Sequence, residues 1–354
     1  MNKYYLSSLL AVFVLALIAY VGSLGLPWLF GIVPPYAAVI VFVVGFSSRV
    51  MSWTKSTVPF RITTTGGQQR SMPWIKQAKI DNPSTKTGVF IRMLLEILTF
   101  RSLFRNTRMK LRGGKRFSYN LEVFLWVGAL AFHYAFLTTL IRHFRFFLEP
   151  VPWCVQLVEK LDSFFRFEIV YNHFQFGLPE VYLSGFILLA AVTYLFLRRL
   201  FVTNVRYISL ASDFFPLFLI MGIAFTGILM RYFTKVDITA IKQLAMGLVT
   251  FHWSVPADIS PLFFIHLFFV SVLLAYFPFS KLMHLGGIFL SPTRNLTGNT
   301  REVRHVNPWN YPVKVHTYEA YENEFREKMI EAGLPVDKMP ESKPDEPTEE
   351  EEKE

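Results

Sequence analysis

Apolar residues in this chain come in long blocks rather than in alternation, and six of the blocks approach or exceed the length of a membrane crossing. A hydrocarbon core of ~30 Å needs about 20 helical residues. Residues 4–24 (YYLSSLLAVFVLALIAYVGSL), 34–53, 119–147, 178–197, 211–232 and 261–287 each predict one spanning helix. The first block could pass for a secretory signal. Lys3 alone makes a weak charged region, though, the apolar run is long, and no clear small-x-small site follows. Residues 1–33 therefore predict a retained N-terminal helix, with the Gly/Pro-rich LGLPWLFGIVPP turning the chain into the second.

The polar connections differ from one another in charge. Residues 54–118 form the most basic loop, with Lys55, Arg61, Arg70, Lys76, Lys79, Lys86 and a run from Arg101 to Arg116. A second basic turn, RRLFVTNVR, follows the fourth block, whereas 148–177 mixes acids, bases and aromatics. Positive charge marks the cytoplasmic side, so the alternation predicts six crossings with both termini in the cytoplasm. Within the basic loop, GVFIRMLLEILTFRSLFRN predicts an amphipathic helix, interfacial or partner-docking, and TTTGGQQRSMPWIK a structured docking loop. The latter has no strand–helix frame and no Walker lysine for a phosphate loop. Gly222 and Gly227 in the fifth block permit close approach of a neighbour or cofactor. After 290 the chain reads as a cytoplasmic tail, 291–354, with one helix near Tyr321–Glu331. From about 341 the acidic ESKPDEPTEEEEKE has nothing to bury and predicts disorder.

Composition agrees with this reading. Of 354 residues, 52% are hydrophobic and 17% aromatic, which places the chain among all-α polytopic membrane bundles. The net charge of +10 is then an orientation signal and not a nucleic-acid footprint. Cys154 is the one cysteine, so the chain supplies no internal disulfide, no cysteine-ligated iron–sulfur cluster and no CxxCH haem attachment.

Four histidines change the picture further. His133 and His143 lie in the third block, ten residues apart; His266 and His284 lie in the sixth, eighteen apart. A lone histidine on an apolar helix is usually a hydrogen-bonded core residue, but ionisable groups at membrane depth are costly and point to function. Two histidines on each of two spans predict two bis-histidine haems, low-spin centres suited to electron transfer. With the third and sixth helices antiparallel, the pairs are His143/His266 on the outer side and His133/His284 on the inner. In one continuous helix, His266 and His284 face the same way and are separated by ~27 Å of rise, against ~15 Å for the other two. Tilt, the length of the ligand bridge and a bend at Pro278 are expected to share that difference.

The segments FHYAFLTTLIRH, LRRLFVTNVR, TFH and IHLFFVSVLLAYFPFSKLMH resemble the cytochrome b subunit of respiratory nitrate reductase over about residues 34–290. The resemblance makes 34–290 a di-haem b domain and five of the helices nitrate reductase gamma-subunit-like. The extra first helix, the long basic loop and the soluble tail resemble the DsrM-type subunit of the sulfite-reduction-associated DsrMKJOP complex, with Hme and Hmc relatives. That resemblance implies two b haems, menaquinone, and a cytoplasmic iron–sulfur partner resembling heterodisulfide reductase (DsrK). It also implies a triheme cytochrome c, a ferredoxin-like subunit and a quinone-interacting membrane subunit.

The family has a cationic residue of its quinone site near the position of His173, which makes His173 the quinone candidate, with His252 the alternative. His305 and His316 lie in the tail, where a partner or solvent is the expected contact. Arg142, Arg145, Arg231, Lys281 and Arg294 border the haem helices; such cations anchor helix ends, and one or two are expected to pair with haem carboxylates. The function expected is electron transfer between menaquinone/menaquinol and the iron–sulfur partner in a sulfite-reduction-associated complex. Alternatives are a nitrate reductase-like or heterodisulfide reductase-like cytochrome b, a proton-conducting transporter, or a haem-free anchor.

Overall fold

The computed structural model describes residues 3–56, 67–112, 116–164, 167–171, 174–178, 180–300, 302–303 and 316–339. The chain forms α1 (Lys3–Gly25) and α2 (Pro27–Thr54), then α3 (Lys86–Thr99) and the short α4 (Arg101–Phe104). An antiparallel hairpin, β1 (Thr107–Arg112) with β2 (Arg116–Leu121), leads into α5 (Val123–His143). After α6 (Trp153–Asp162) come β3 (Ser163–Phe164), β4 (Phe167–Tyr171), β5 (Phe174–Leu178) and β6 (Val181–Tyr182), in which β4 pairs with β5 and β3 with β6. Then follow α7 (Leu183–Phe201), α8 (Thr203–Ile208), α9 (Ala211–Ile228), α10 (Ile238–Thr250), α11 (Pro261–Tyr276), α12 (His284–Leu290), α13 (Pro292–Asn295) and α14 (Tyr318–Glu331).

Among the described residues six helices are long and apolar enough to cross a membrane: Lys3–Gly25, Pro27–Thr54, Val123–Phe146, Leu183–Phe201, Ala211–Thr234 and Pro261–Phe279. Two compact units divide the chain, one over Met1–Trp53 and Pro59–Val306, the other over Thr54–Val58 and Asn307–Glu354. In the larger unit α9 is central, touching α1, α7 and α11, while α5 packs on α7. Phe214 and Leu219 of α9 are fully enclosed with Val12, Phe218 and Phe269 around them. Leu10, Phe13, Ile40 and Val44 of α1 and α2 stay exposed, as side chains facing lipid tails do.

Three expectations are corrected by the structure. The Gly/Pro break before the second helix shrinks to Leu26, and Pro34 and Pro35 lie inside α2. Neither proline has an N–H to offer the carbonyls of Phe30 and Gly31, so α2 lacks two ladder bonds there. The helix is closely packed at the same point: a Cβ on Gly31 would lie 3.3 Å from Val255 and 3.4 Å from Leu244 and Phe264. Residues 148–177 are not a plain loop, because the β-branched and aromatic FEIVY and FQFGL pair as strands, and α7 starts five residues later than expected.

The third correction concerns the sixth span. Residues 261–287 are not one helix: α11 stops at Tyr276, 3-10 turns follow at Phe277–Phe279 and Lys281–Met283, and α12 begins at His284. Pro278 cannot donate to the helical ladder, and Ser280 sits in extended backbone, its Oγ donating to Phe277 O (2.9 Å) and accepting from Leu282 N (3.1 Å). The interrupted path removes the premise that His266 and His284 share one helix face and ~27 Å of rise.

In the smaller unit α14 opens on Thr317, whose hydroxyl accepts from Ala320 N, and closes at Gly333 with φ +69°. Leu334 N donates to Met329 O and Gly333 N to Ile330 O, the Schellman pattern that a glycine's left-handed backbone allows. Glu322 is buried against the returning chain, accepting from Asp337 N (2.8 Å), Lys338 N (2.9 Å) and Arg326 Nε (3.1 Å). Those bonds hold its carboxyl below the usual glutamate range.

Candidate functional site: two facing histidine pairs

The structure brings the four block histidines together two by two. The rings of His143 and His266 are 6.2 Å apart between centroids with planes 12° from parallel; those of His133 and His284 are 6.0 Å apart at 80°. Two imidazoles ligating one iron from opposite sides put their ring centres about 6 Å apart, because each metal–nitrogen bond is ~2 Å and each nitrogen ~1 Å from its ring centre. Along α5 the pairs are separated by ten residues, ~15 Å of rise.

Each ring's Nδ1 is already engaged. His133 Nδ1 meets Ala129 O (2.8 Å), His143 Nδ1 meets Thr139 O (2.6 Å), and His284 Nδ1 meets Lys281 O (2.8 Å). His266 Nδ1 meets Thr226 Oγ1 of α9 at 2.9 Å. A carbonyl can only accept, so the protons of the first three rings sit on Nδ1 and their Nε2 lone pairs are free. This is the outer hydrogen bond that ligating histidines commonly have. A two-histidine set is short of a protein-only metal site, and among the described residues no group of three or more His, Cys, Asp or Glu gathers. The donor set fits a haem, whose macrocycle supplies the other four ligands.

The surroundings are aromatic and closely fitted. Phe100 and Phe132 stand edge-on to His133 at 4.8 and 5.1 Å. Phe100 holds φ +49°, a left-handed backbone that is costly for a bulky residue and divides α3 from α4. Gly227 faces His266 so that an added Cβ would lie 3.4 Å from Cε1.

Most of the cations proposed for haem carboxylates have protein partners. Arg142 bonds Asp162 (2.5 Å) and Ser184 (2.9 Å), Arg145 pairs with Glu159, Lys281 with Asp213 (2.6 Å), and Arg294 with Glu96 (3.0 Å). Arg231 lies over the Tyr182 ring, 4.8 Å from its centroid, and Arg142 also lies over that ring, at 3.5 Å. Burial and the adjoining Glu159 raise the Tyr182 hydroxyl well above the usual tyrosine range, so it stays a donor to Glu159 (2.6 Å).

His252 follows α10 and is exposed, flanked by Phe251 at φ +58° and by Trp253, whose Nε1 donates to Tyr36 Oη (3.0 Å). His173 and His305 lie outside the described residues, and so does the segment after 341; His316 is described and exposed. Sequence reasoning missed Thr226 and the Lys281 carbonyl. Thr226 lies forty residues from His266 and carries no spacing signal, whereas an acceptor three or four residues before a helical histidine could have been anticipated.

Comparison with known proteins adds an independent finding. A model of the nitrate reductase gamma subunit family matches residues 95–305. The chain is 46% identical to the Hdr-like menaquinol oxidoreductase cytochrome b-like subunit of Archaeoglobus fulgidus over 289 residues, 80% of this chain and 83% of that protein. It is 41% identical to the protein of the same name from Archaeoglobus profundus over 284 residues, 78% and 81% of the two chains. Over 271 residues, 74% and 89% of the two chains, it is 24% identical to a component of the dihydromethanophenazine:CoB–CoM heterodisulfide reductase of Methanosarcina barkeri.

Proposed function

The chain belongs to the nitrate reductase gamma subunit family, and from that premise we propose that it is a di-haem b membrane subunit carrying electrons between menaquinol and an iron–sulfur partner. The observation that carries the reading is the histidine arrangement: two pairs with ring centres 6.2 and 6.0 Å apart, each ring with its Nδ1 engaged so that Nε2 is the nitrogen left for a ligand. His143 and His266 hold one b haem, His133 and His284 the other. A b haem held there supplies reversible one-electron chemistry. The protein's part is burial, axial ligation and electrostatics.

Charge bias supports an inner-membrane arrangement with both termini in the cytoplasm. His143/His266 then lie on the outer side and His133/His284 on the inner, and the segments 1–33, 34–290 and 291–354 take the roles of extra helix, di-haem domain and cytoplasmic tail. Oxidising a quinol releases protons as well as electrons, so its headgroup needs a group that exchanges a proton near neutral pH, and imidazole does so. His173, ahead of α7, is assigned that role. Electrons leave toward an iron–sulfur protein docked on the basic loop; the relatives' names, with Hdr-like and heterodisulfide reductase in them, favour a partner of that type. Within this class the DsrM-type, sulfite-reduction-associated assignment rests on the extra helix, the basic loop and the tail, and brings with it a triheme cytochrome c and further subunits.

Pyridine haemochrome assay of the purified chain tests the reading. Two acid-extractable protohaems per chain are expected; none would remove the cytochrome reading and leave a histidine-lined proton path or a haem-free anchor.

A further inference from the structure

Of the four facing histidines, His266 alone has a side chain as the Nδ1 partner, and that side chain comes from another helix. Thr226 Oγ1 lies 2.9 Å from His266 Nδ1, 2.8 Å from Gly222 O and 3.1 Å from Ile223 O. A hydroxyl has one proton. Both carbonyls can only accept, and with the proton given to either of them the hydroxyl's lone pair accepts from Nδ1–H. In that arrangement Nε2 of His266 carries the free lone pair. The opposite arrangement, with Thr226 donating to Nδ1, leaves Nε2 protonated and unable to ligate. Thr226 and His266 are both buried, and α9 touches α11 directly, with Gly222 closed against Phe269 and Gly227 against the imidazole edge.

We propose that Thr226 is the positioning residue that sets the electronic character of the His143/His266 centre and makes it unlike the His133/His284 centre. The inference rests on the haem reading above and deepens it. At the other pair both rings donate to backbone carbonyls of their own segments. A hydrogen bond from Nδ1–H to a good acceptor makes an imidazole a more basic ligand and favours the oxidised metal. An alcohol oxygen is a weaker acceptor than an amide carbonyl, even when its own donated bond polarises it, so the ligand field at His266 is less electron-rich. Removing the hydroxyl takes away the ring's side-chain partner, leaves only the Ile223 carbonyl beside it, and favours the reduced form further.

The experiment is potentiometric titration of the purified, haem-loaded chain, wild type against Thr226→Val and Thr226→Ser, following both centres by optical and EPR spectra. Thr226→Val should raise the midpoint of one centre by ~3–10-fold in the reduced-to-oxidised ratio at a fixed potential, up to about 60 mV for one electron. The other centre should hold its wild-type value, and Thr226→Ser, which keeps the hydroxyl, should titrate as wild type. If Thr226→Val loses one haem while Thr226→Ser keeps both, the hydroxyl is needed to present Nε2, and the proposal stands. Unchanged midpoints in a fully loaded Thr226→Val variant overturn it, as does equal loss of haem in both variants, which marks a packing role only. A wild-type chain without haem overturns the cytochrome reading instead, so the two failures are told apart.

Discussion

At the scale of single residues, what matters is which nitrogen of each histidine is free. Backbone carbonyls of Ala129, Thr139 and Lys281 and the hydroxyl of Thr226 take the four Nδ1 atoms, so the four Nε2 atoms remain for a ligand. Replacing His143 or His266 by alanine should therefore remove one and the same spectral species, and replacing His133 or His284 the other. Low-temperature difference spectra of the four variants check this; a species lost in common by His143→Ala and His284→Ala breaks the pairing. His173→Ala should slow haem reduction by a menaquinol analogue while dithionite reduction stays at the wild-type level, as measured by stopped-flow absorbance. Much of this scale was legible from spacing alone, since ten and eighteen residues on two apolar blocks singled out the four histidines. Thr226 was not, because a contact between α9 and α11 depends on how the helices pack and leaves no local pattern.

At the scale of elements, the break in the sixth span decides where His284 goes. Lys281 serves it twice: its carbonyl accepts from His284 Nδ1, and its Nζ is 2.6 Å from Asp213 at the start of α9. Asp213 also accepts from Leu210 N (3.0 Å) and lies 3.7 Å from Arg199. Its carboxylate is enclosed although Lys281 is largely exposed, so the pair itself contributes little, and the loss on Asp213→Ala is mainly that of a helix-start acceptor and a buried anion's contacts, about 1–3 kcal/mol. Asp213→Ala should lower the melting temperature in detergent and empty the His133/His284 centre before the other, read by haem content on heating. Pro278 was visible in the sequence as a possible bend, but the capped extended residue at Ser280 was not. The reason is that serine takes such a role only when the chain around it has already stopped being helical. Glu322 gives a second test at this scale. Its carboxyl is held below the ordinary value of 4.5, chiefly by the Asp337 amide and then by Lys338 N and Arg326. A depressed carboxyl stabilises the fold above its unfolded pKa, and that contribution is lost as pH falls through the folded one. Exchange at the Asp337 and Lys338 amides, corrected for intrinsic rate, should accelerate below about pH 4.5, and Glu322→Gln should remove that dependence.

At the scale of the whole molecule, the block pattern was enough to count the crossings, because a hydrocarbon core sets the length of any helix that spans it. It was not enough to find the hairpins between α6 and α7, whose short aromatic stretches look in sequence like the start of the next span. What the chain's charge adds is direction. The stretches before α5 and after α7 are basic, and the connection from α5 to α7 is not, so α6 belongs on the outer side if positive charge marks the cytoplasm. The chain offers a clean test of that reading. Cys154 is its single cysteine, it is exposed, and it lies on α6 between the third and fourth spans. A membrane-impermeant maleimide added to intact right-side-out vesicles should label Cys154 as fully as it does after the vesicles are opened. Inverted vesicles should stay unlabelled until opened, and Cys154→Ser should give no signal in either. Labelling confined to inverted vesicles reverses the topology, moving His143/His266 to the cytoplasmic side, so that an iron–sulfur partner there would face that pair first.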